Sequence, residues 1–227
     1  MQPNVRGFVG YWGSGKSLLL ARECLRREAG DPRLLVGHNF GFKARNGVEL
    51  ETMDDVITFA AWDTPGWRKL LAIDEIGALA PARGFAGFPP AAEVVFQQGR
   101  KLGLSVMWTT QHWKFVDVYV RRVSDVVTEC TGMIHKRLTP RGVLPVEHRP
   151  RIIRARSFYS PDPDANKLPD RPNRTEWQFF DQEAADSYDT LKLVRNYQLV
   201  MQAQYEQAKN SPVVVAINEA VGAPGAV

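Results

Sequence analysis

Three groups of side chains have the types and spacing to handle a nucleoside triphosphate. The first runs Gly10-Tyr11-Trp12-Gly13-Ser14-Gly15-Lys16-Ser17, a full G-x-x-x-x-G-K-[ST] pattern. Such a run, fed by a strand and followed by a helix, aims bare backbone N–H groups at an anion. Gly13 and Gly15 let the backbone curl, Lys16 reaches toward the β and γ phosphates, and the Ser17 hydroxyl is suited to ligate Mg²⁺. Gly10, Gly13, Ser14, Gly15, Lys16, Ser17 and Leu18 are therefore the expected contacts to ATP. The second group is the apolar run Leu70-Leu71-Ala72-Ile73 closed by Asp74 and Glu75. Two carboxylates at a strand end diverge in direction, so Asp74 is expected to hold Mg²⁺ and Glu75 to orient and polarise the attacking water. The third is Gln111, just past the strand-like run 104–110, whose amide is expected to reach the γ-phosphate or the lytic water.

The elements that must position these groups alternate in type. Phe8-Val9 reads as a strand into the loop, and 17–28 as a helix stopped by Gly30-Asp31-Pro32. Residues 34–37, 69–73 and 104–110 are unbroken apolar strands. Helices are expected over 53–59, capped by Thr52, over 91–102 and over 116–123. Residues 40–52 read as a loop or hairpin about Asn46-Gly47. Further strands are expected over 126–129, 134–136 and 151–159. The Pro/Asp/Asn-rich stretch 160–174 reads as an exposed, mobile irregular segment. This order implies an α/β fold with a mostly parallel central sheet flanked by helices. Residues 1–190 form the expected ATPase domain and 191–227 a C-terminal helix, over 191–209, and tail.

The 227 residues, 44% of them hydrophobic, are enough for one such domain. No apolar run of eighteen residues occurs and the first residues lack a signal-peptide pattern, so a soluble, cytoplasmic protein is expected. The two cysteines, Cys24 and Cys130, read as buried thiols. The net charge of +4 is unevenly spread: residues 81–157 hold thirteen basic against five acidic side chains, whereas 158–227 hold six against ten. A local excess of this kind suits a polyanion such as DNA, although a solvated basic face has the same composition. Arg83, which shares a Gly/Pro-rich stretch with Phe85 and Phe88, and Arg141, Arg149, Arg151 and Arg154 are the candidate DNA contacts.

The loop at 10–17, the Asp74-Glu75 pair and Gln111 resemble the additional-strand (ASCE, RecA-like) P-loop NTPases. Gln98-Gly99-Arg100-Lys101-Leu102-Gly103-Leu104 resembles the FtsK/HerA branch in particular, and Tyr188-Asp189-Thr190 is similar to a short motif near the end of such domains. Within the branch the chain resembles both viral genome-packaging ATPases and the Zot-like ATPases of filamentous phages. The resemblance implies a ring, usually hexameric, with an arginine reaching into each neighbour's site; Arg100 is the first candidate, then Arg122, with Arg121 beside it. It further implies either packaging of double- or single-stranded DNA into a preformed capsid, with capsid or membrane-vertex partners, or phage assembly and extrusion by a soluble domain without its membrane anchor. Host cytoplasm or a virion vertex would be the setting. A small-molecule kinase fits less well, because Asp74-Glu75 with Gln111 suits water activation.

Overall fold

A computed structural model describes residues 4–79, 89–133, 136–139, 142–145 and 152–189. The chain runs β1 (Val5–Val9), α1 (Lys16–Gly30), β2 (Leu34–His38), β3 (Gly47–Glu49), α2 (Met53–Ala61), β4 (Arg68–Ile73), α3 (Ile76–Leu79) and α4 (Pro90–Gln98). It continues through β5 (Leu104–Thr110), a 3-10 turn (Trp113–Phe115), α5 (Val118–Val123), β6 (Val126–Met133), the hairpin β7 (Lys136–Thr139) and β8 (Gly142–Pro145), β9 (Ile152–Tyr159), β10 (Arg174–Phe179) and α6 (Gln182–Asp186).

Eight strands form one sheet in the order β10-β9-β6-β1-β5-β4-β2-β3. From β6 to β3 every pairing is parallel, and β9 and β10 add an antiparallel wing. Strand β5 lies between the loop-bearing β1 and the carboxylate-bearing β4, which is the additional strand of the ASCE arrangement. Alternation along the strands divides the core in two. Leu71, Ile73, Val106 and Trp108 face α2, α4 and α5, whereas Leu70, Ala72, Met107 and Phe8 face α1. Gly7 on β1 faces the Trp108 indole so closely that a Cβ there would come within 2.2 Å of the ring. Both cysteines are buried free thiols on the α1 face, and burial pushes Cys130 up to about 12.

Local chemistry accounts for the helix ends. Thr52 and Asp55 form a reciprocal capping box at the start of α2. The buried Lys69 Nζ donates to the carbonyls of Ala60 and Trp62, 2.5 and 2.9 Å away, and so closes the other end of that helix. Helix α4 stops at Gln98, short of the expected 102, because Leu104 N–H bonds the Gly99 carbonyl at 2.8 Å and Gly103 takes φ 63° to turn into β5. No hairpin forms at Asn46-Gly47. Instead the Asn46 carbonyl accepts from Val36 N–H at 2.9 Å, and Gly47–Glu49 pairs parallel to β2, which a two-residue hairpin cannot do.

The segment expected to be loose is irregular over 160–173 but anchored. Arg121 donates to the Ala165 carbonyl at 3.2 Å, Arg156 to that of Asp170 at 2.5 Å, and Leu168 packs on the core. It ends in β10, an unexpected strand that pairs with β9 over six residues. Among the described residues no helix is long and apolar enough to cross a membrane. The expected helix over 191–209 and the tail lie outside the described residues.

Candidate functional site

Sheet register brings the three groups together. The pairs Val9 with Thr110 and Ile73 with Trp108 align the carboxyl ends of β1, β5 and β4, so that Gly10, Gln111 and Asp74 leave the sheet at one edge. That edge is where open α/β sheets bind ligands. Gly13 and Gly15 take φ 70° and 90°. The 15-residue α1 then starts with no side-chain cap and no acidic residue in its first turn, which leaves its amides and positive dipole end directed at the loop.

Lys16 is 6% exposed; its Nζ lies 3.5 Å from Glu75 Oε1 and donates to the Tyr11 carbonyl at 3.3 Å. Ser17 Oγ is 2.9 Å from each carboxylate oxygen of Asp74. Asp74 is buried, and burial raises its carboxyl above the usual range against hydrogen bonds from Thr109 and Ser17 and the nearby Lys16. Glu75 is also raised, first by burial and then by Asp74, with Lys16 and a Gln111 hydrogen bond working the other way. Glu75 is one of two non-glycine residues in the left-handed region among those described, at φ 49°.

A hydroxyl and a carboxylate in contact beside a lysine are hard oxygen donors of the kind Mg²⁺ takes. Two protein oxygens suit an ion that keeps several waters and phosphate ligands, and no cluster of three or more His, Cys, Asp or Glu forms among the described residues. A cavity of 780 Å³ opens beside the loop, lined among others by Tyr11, Trp12, Gln111, His112, Glu129 and Arg156, a size typical of small-molecule clefts. The buried Ser14 Oγ at its wall has no hydrogen-bond partner. Tyr11 and Trp12 are 72% and 80% exposed.

The other expected site residues lie apart. Arg100 is in the turn after α4 rather than on it, 4.0 Å from Asp125, at the amino-terminal end of β5 and so opposite its own phosphate loop. Arg122 pairs with Asp164 at 3.5 Å, and Arg121 stacks on Trp113, 5.5 Å from its centroid. Arg154 is half-buried on β9, in register between Thr131 of β6 and Trp177 of β10. Arg83, Phe85, Phe88, Arg141, Arg149 and Arg151 lie outside the described residues.

Two residues with direct bonds to the carboxylate pair were absent from the expected set. The Asn39 side chain bonds both backbone polar groups of Asp74, and the Thr109 hydroxyl bonds the Asp74 carboxylate and the Glu75 N–H. Both are polar residues at the carboxyl ends of otherwise apolar strands flanking β4, which is the signal they carried.

The mixed sheet with β5 inserted, its flanking helices and the loop geometry are those of the ASCE, RecA-like P-loop NTPase fold. Solved structures agree at the level of fold. The N-terminal domain of zonular occludens toxin from Neisseria meningitidis matches with TM-score 0.54 and 16% identity, over 83% of this chain and 100% of that one. The genome-packaging NTPase B204 of Sulfolobus turreted icosahedral virus 2, in complex with ATP-gammaS, matches with TM-score 0.52 and 13% identity, over 78% and 98%. No family model matches the sequence, and no curated protein does.

Proposed function

We propose that this chain is an ATPase that couples ATP hydrolysis to DNA translocation and packages a viral genome into a preformed capsid. The observation that carries the reading is the meeting of Lys16, Ser17, Asp74, Glu75 and Gln111 at one sheet edge. Lys16 is the fixed cation for the β and γ phosphates, and the loop amides at the start of α1 hold them. Ser17 and Asp74 are the oxygens for Mg²⁺, which when bound neutralises phosphate charge. Glu75, made more basic by burial, takes a proton from the water whose oxygen attacks the γ phosphorus as the bond to the departing ADP breaks. Gln111 holds the Glu75 carboxylate and senses the γ-phosphate.

In this reading residues 1–190 are the motor domain and 191–227 its C-terminal helix and tail. Subunits close into a hexameric ring in which Arg100 reaches the neighbour's phosphates, with Arg122 and Arg121 as the next candidates. The basic excess of residues 81–157, with Arg83, Arg151 and Arg154, faces the DNA. The packaging NTPase with the same fold supports the choice. The partners are then capsid or membrane-vertex proteins, and the setting is the host cytoplasm or a virion vertex.

A second reading, a Zot-like ATPase for phage assembly and extrusion, is favoured by the match that spans the whole of the zonular occludens toxin N-terminal domain. ATP hydrolysis measured alone, with double-stranded DNA and with single-stranded DNA separates the two. Stimulation by DNA supports the motor, hydrolysis indifferent to both nucleic acids supports the assembly ATPase, and no hydrolysis under any condition refutes both.

A further inference from the structure

We propose that Asn39 and Thr109 are positioning residues for the carboxylate pair, an inference that rests on the reading of the site as hydrolytic. Asn39 follows β2, one neighbour of β4 in the sheet, and its side chain acts as one more ladder position beyond the last pair, His38 with Ala72. Asn39 Nδ2 donates to the Asp74 carbonyl at 2.9 Å, and its Oδ1 accepts from the Asp74 N–H at 2.7 Å. Thr109 comes from β5, the other neighbour. Its hydroxyl donates to Asp74 Oδ1 at 2.5 Å and accepts from the Glu75 N–H at 2.9 Å.

The chain is thus gripped from both sides at the point where it leaves the sheet. Asn39 fixes the backbone of Asp74, and Thr109 ties the side chain of Asp74 to the backbone of Glu75. Between these bonds Glu75 sits at φ 49°. A residue with a Cβ is disfavoured in the left-handed region and stays there only where its surroundings over-determine it. The left-handed turn separates the two acids, sending Asp74 to Ser17 and Glu75 to Lys16 and Gln111. Thr109 is 0% and Asn39 6% exposed, so both act through the residues they hold, Thr109 on the Asp74 carboxylate and the Glu75 N–H and Asn39 on the Asp74 backbone.

A role confined to folding would show in stability and would not discriminate among chemical steps. The test uses the full chain with Thr109→Val, which keeps the shape and loses the hydroxyl, Thr109→Ser, which keeps the hydroxyl, and Asn39→Ala. Two measurements are made: steady-state ATP hydrolysis, and calorimetric binding of ATP-gammaS with Mg²⁺ and with EDTA. Residues that orient metal ligands are typically worth 10–100-fold, so Thr109→Val and Asn39→Ala should lose about that factor in kcat with KM within about threefold of wild type. Metal-free binding should stay within about twofold, the Mg²⁺-dependent gain in affinity should shrink, and Thr109→Ser should recover most of both losses. Should Thr109→Val fail to fold, Thr109→Ala carries the same expectation.

The proposal is overturned if the hydroxyl-free variant keeps wild-type kcat and metal-dependent affinity, if Thr109→Ser is as impaired as Thr109→Val, or if a folded variant loses metal-free binding in parallel. Failure of the hydrolytic reading looks different. Wild-type protein would then turn over no ATP, and the metal-dependent gain in ATP-gammaS affinity alone, compared between wild type and Thr109→Val, would decide the positioning role.

Discussion

Replacing Glu75 by glycine and, separately, by alanine isolates the energy stored in the turn after β4. Both variants remove the carboxylate, its ion pair with Lys16 and its proximity to Asp74, so these effects cancel in the comparison. What differs is the Cβ at φ 49°. A left-handed residue with a Cβ costs about 1–2 kcal/mol, and glycine returns about 0.4–1 kcal/mol of that through its greater unfolded-state entropy. Glu75→Gly should therefore be more stable than Glu75→Ala by about 0.5–1 kcal/mol. In a domain of this size that is a rise in Tm of roughly 1–4 °C. Urea unfolding followed by circular dichroism, with equal slopes in both variants, gives the difference directly. Neither variant should hydrolyse ATP, so the more stable protein is as inactive as the less stable one. Alanine above glycine by about 0.4–1 kcal/mol, the unfolded-state entropy alone, would show that the turn stores no strain for Asn39 and Thr109 to hold.

Other outcomes follow from packing and charge. Gly7→Ala drives a methyl group to within 2.2 Å of the Trp108 ring and should destabilise by about 1–3 kcal/mol, read from the same urea midpoint, with a change in the near-ultraviolet signal. Arg154→Ala should lower the magnitude of the log–log salt dependence of double-stranded DNA binding by about 0.9 if its guanidinium meets one phosphate; an unchanged slope would make it a surface arginine. Hydrolysis should rise more than linearly with protein concentration, since an arginine supplied by a neighbour exists only in an assembly. Mixing Arg100→Ala with Glu75→Gln should restore part of the activity. With assembly intact, absence of rescue moves the assignment to Arg122 or Arg121.

What the sequence revealed and what it hid differ in range along the chain. The glycine-rich loop at 10–17 and the Asp74-Glu75 pair are local devices, a strand feeding a turn, so they stand out in the sequence from composition and spacing alone. Asn39 and Thr109 could not be assigned roles in that way, because their partners depend on β4 lying between β2 and β5, a fact about the sheet and not about any window of residues. The same limit applies to β10. Its run Arg174–Phe179 mixes charged and aromatic residues behind a proline-rich segment, and it becomes a strand by pairing with β9. At Asn46-Gly47 the local turn signal was real, but the Val36 ladder bond made it the entry to a parallel edge strand. Arg100 was misplaced by a helix pattern that ran through Gly99 to Leu102, whereas the helix is capped at Gly99 and the chain turns at Gly103.

The position of β1 also constrains how the protein is made. Its five residues leave the ribosome before the other strands of this sheet, yet both of their sheet neighbours, β5 and β6, lie about a hundred or more residues later, as in the pair Val5 with Val106. At about 5–20 residues per second, synthesis leaves the amino-terminal strand without its neighbours for roughly 5–20 seconds. The loop from Gly10 to Ser17 hangs between that strand and α1, so it acquires its anchored form only after β5 and β6 have been made. Nucleotide therefore cannot stabilise the early nascent chain, in which the Phe8-Val9 segment still lacks the strands that bury it.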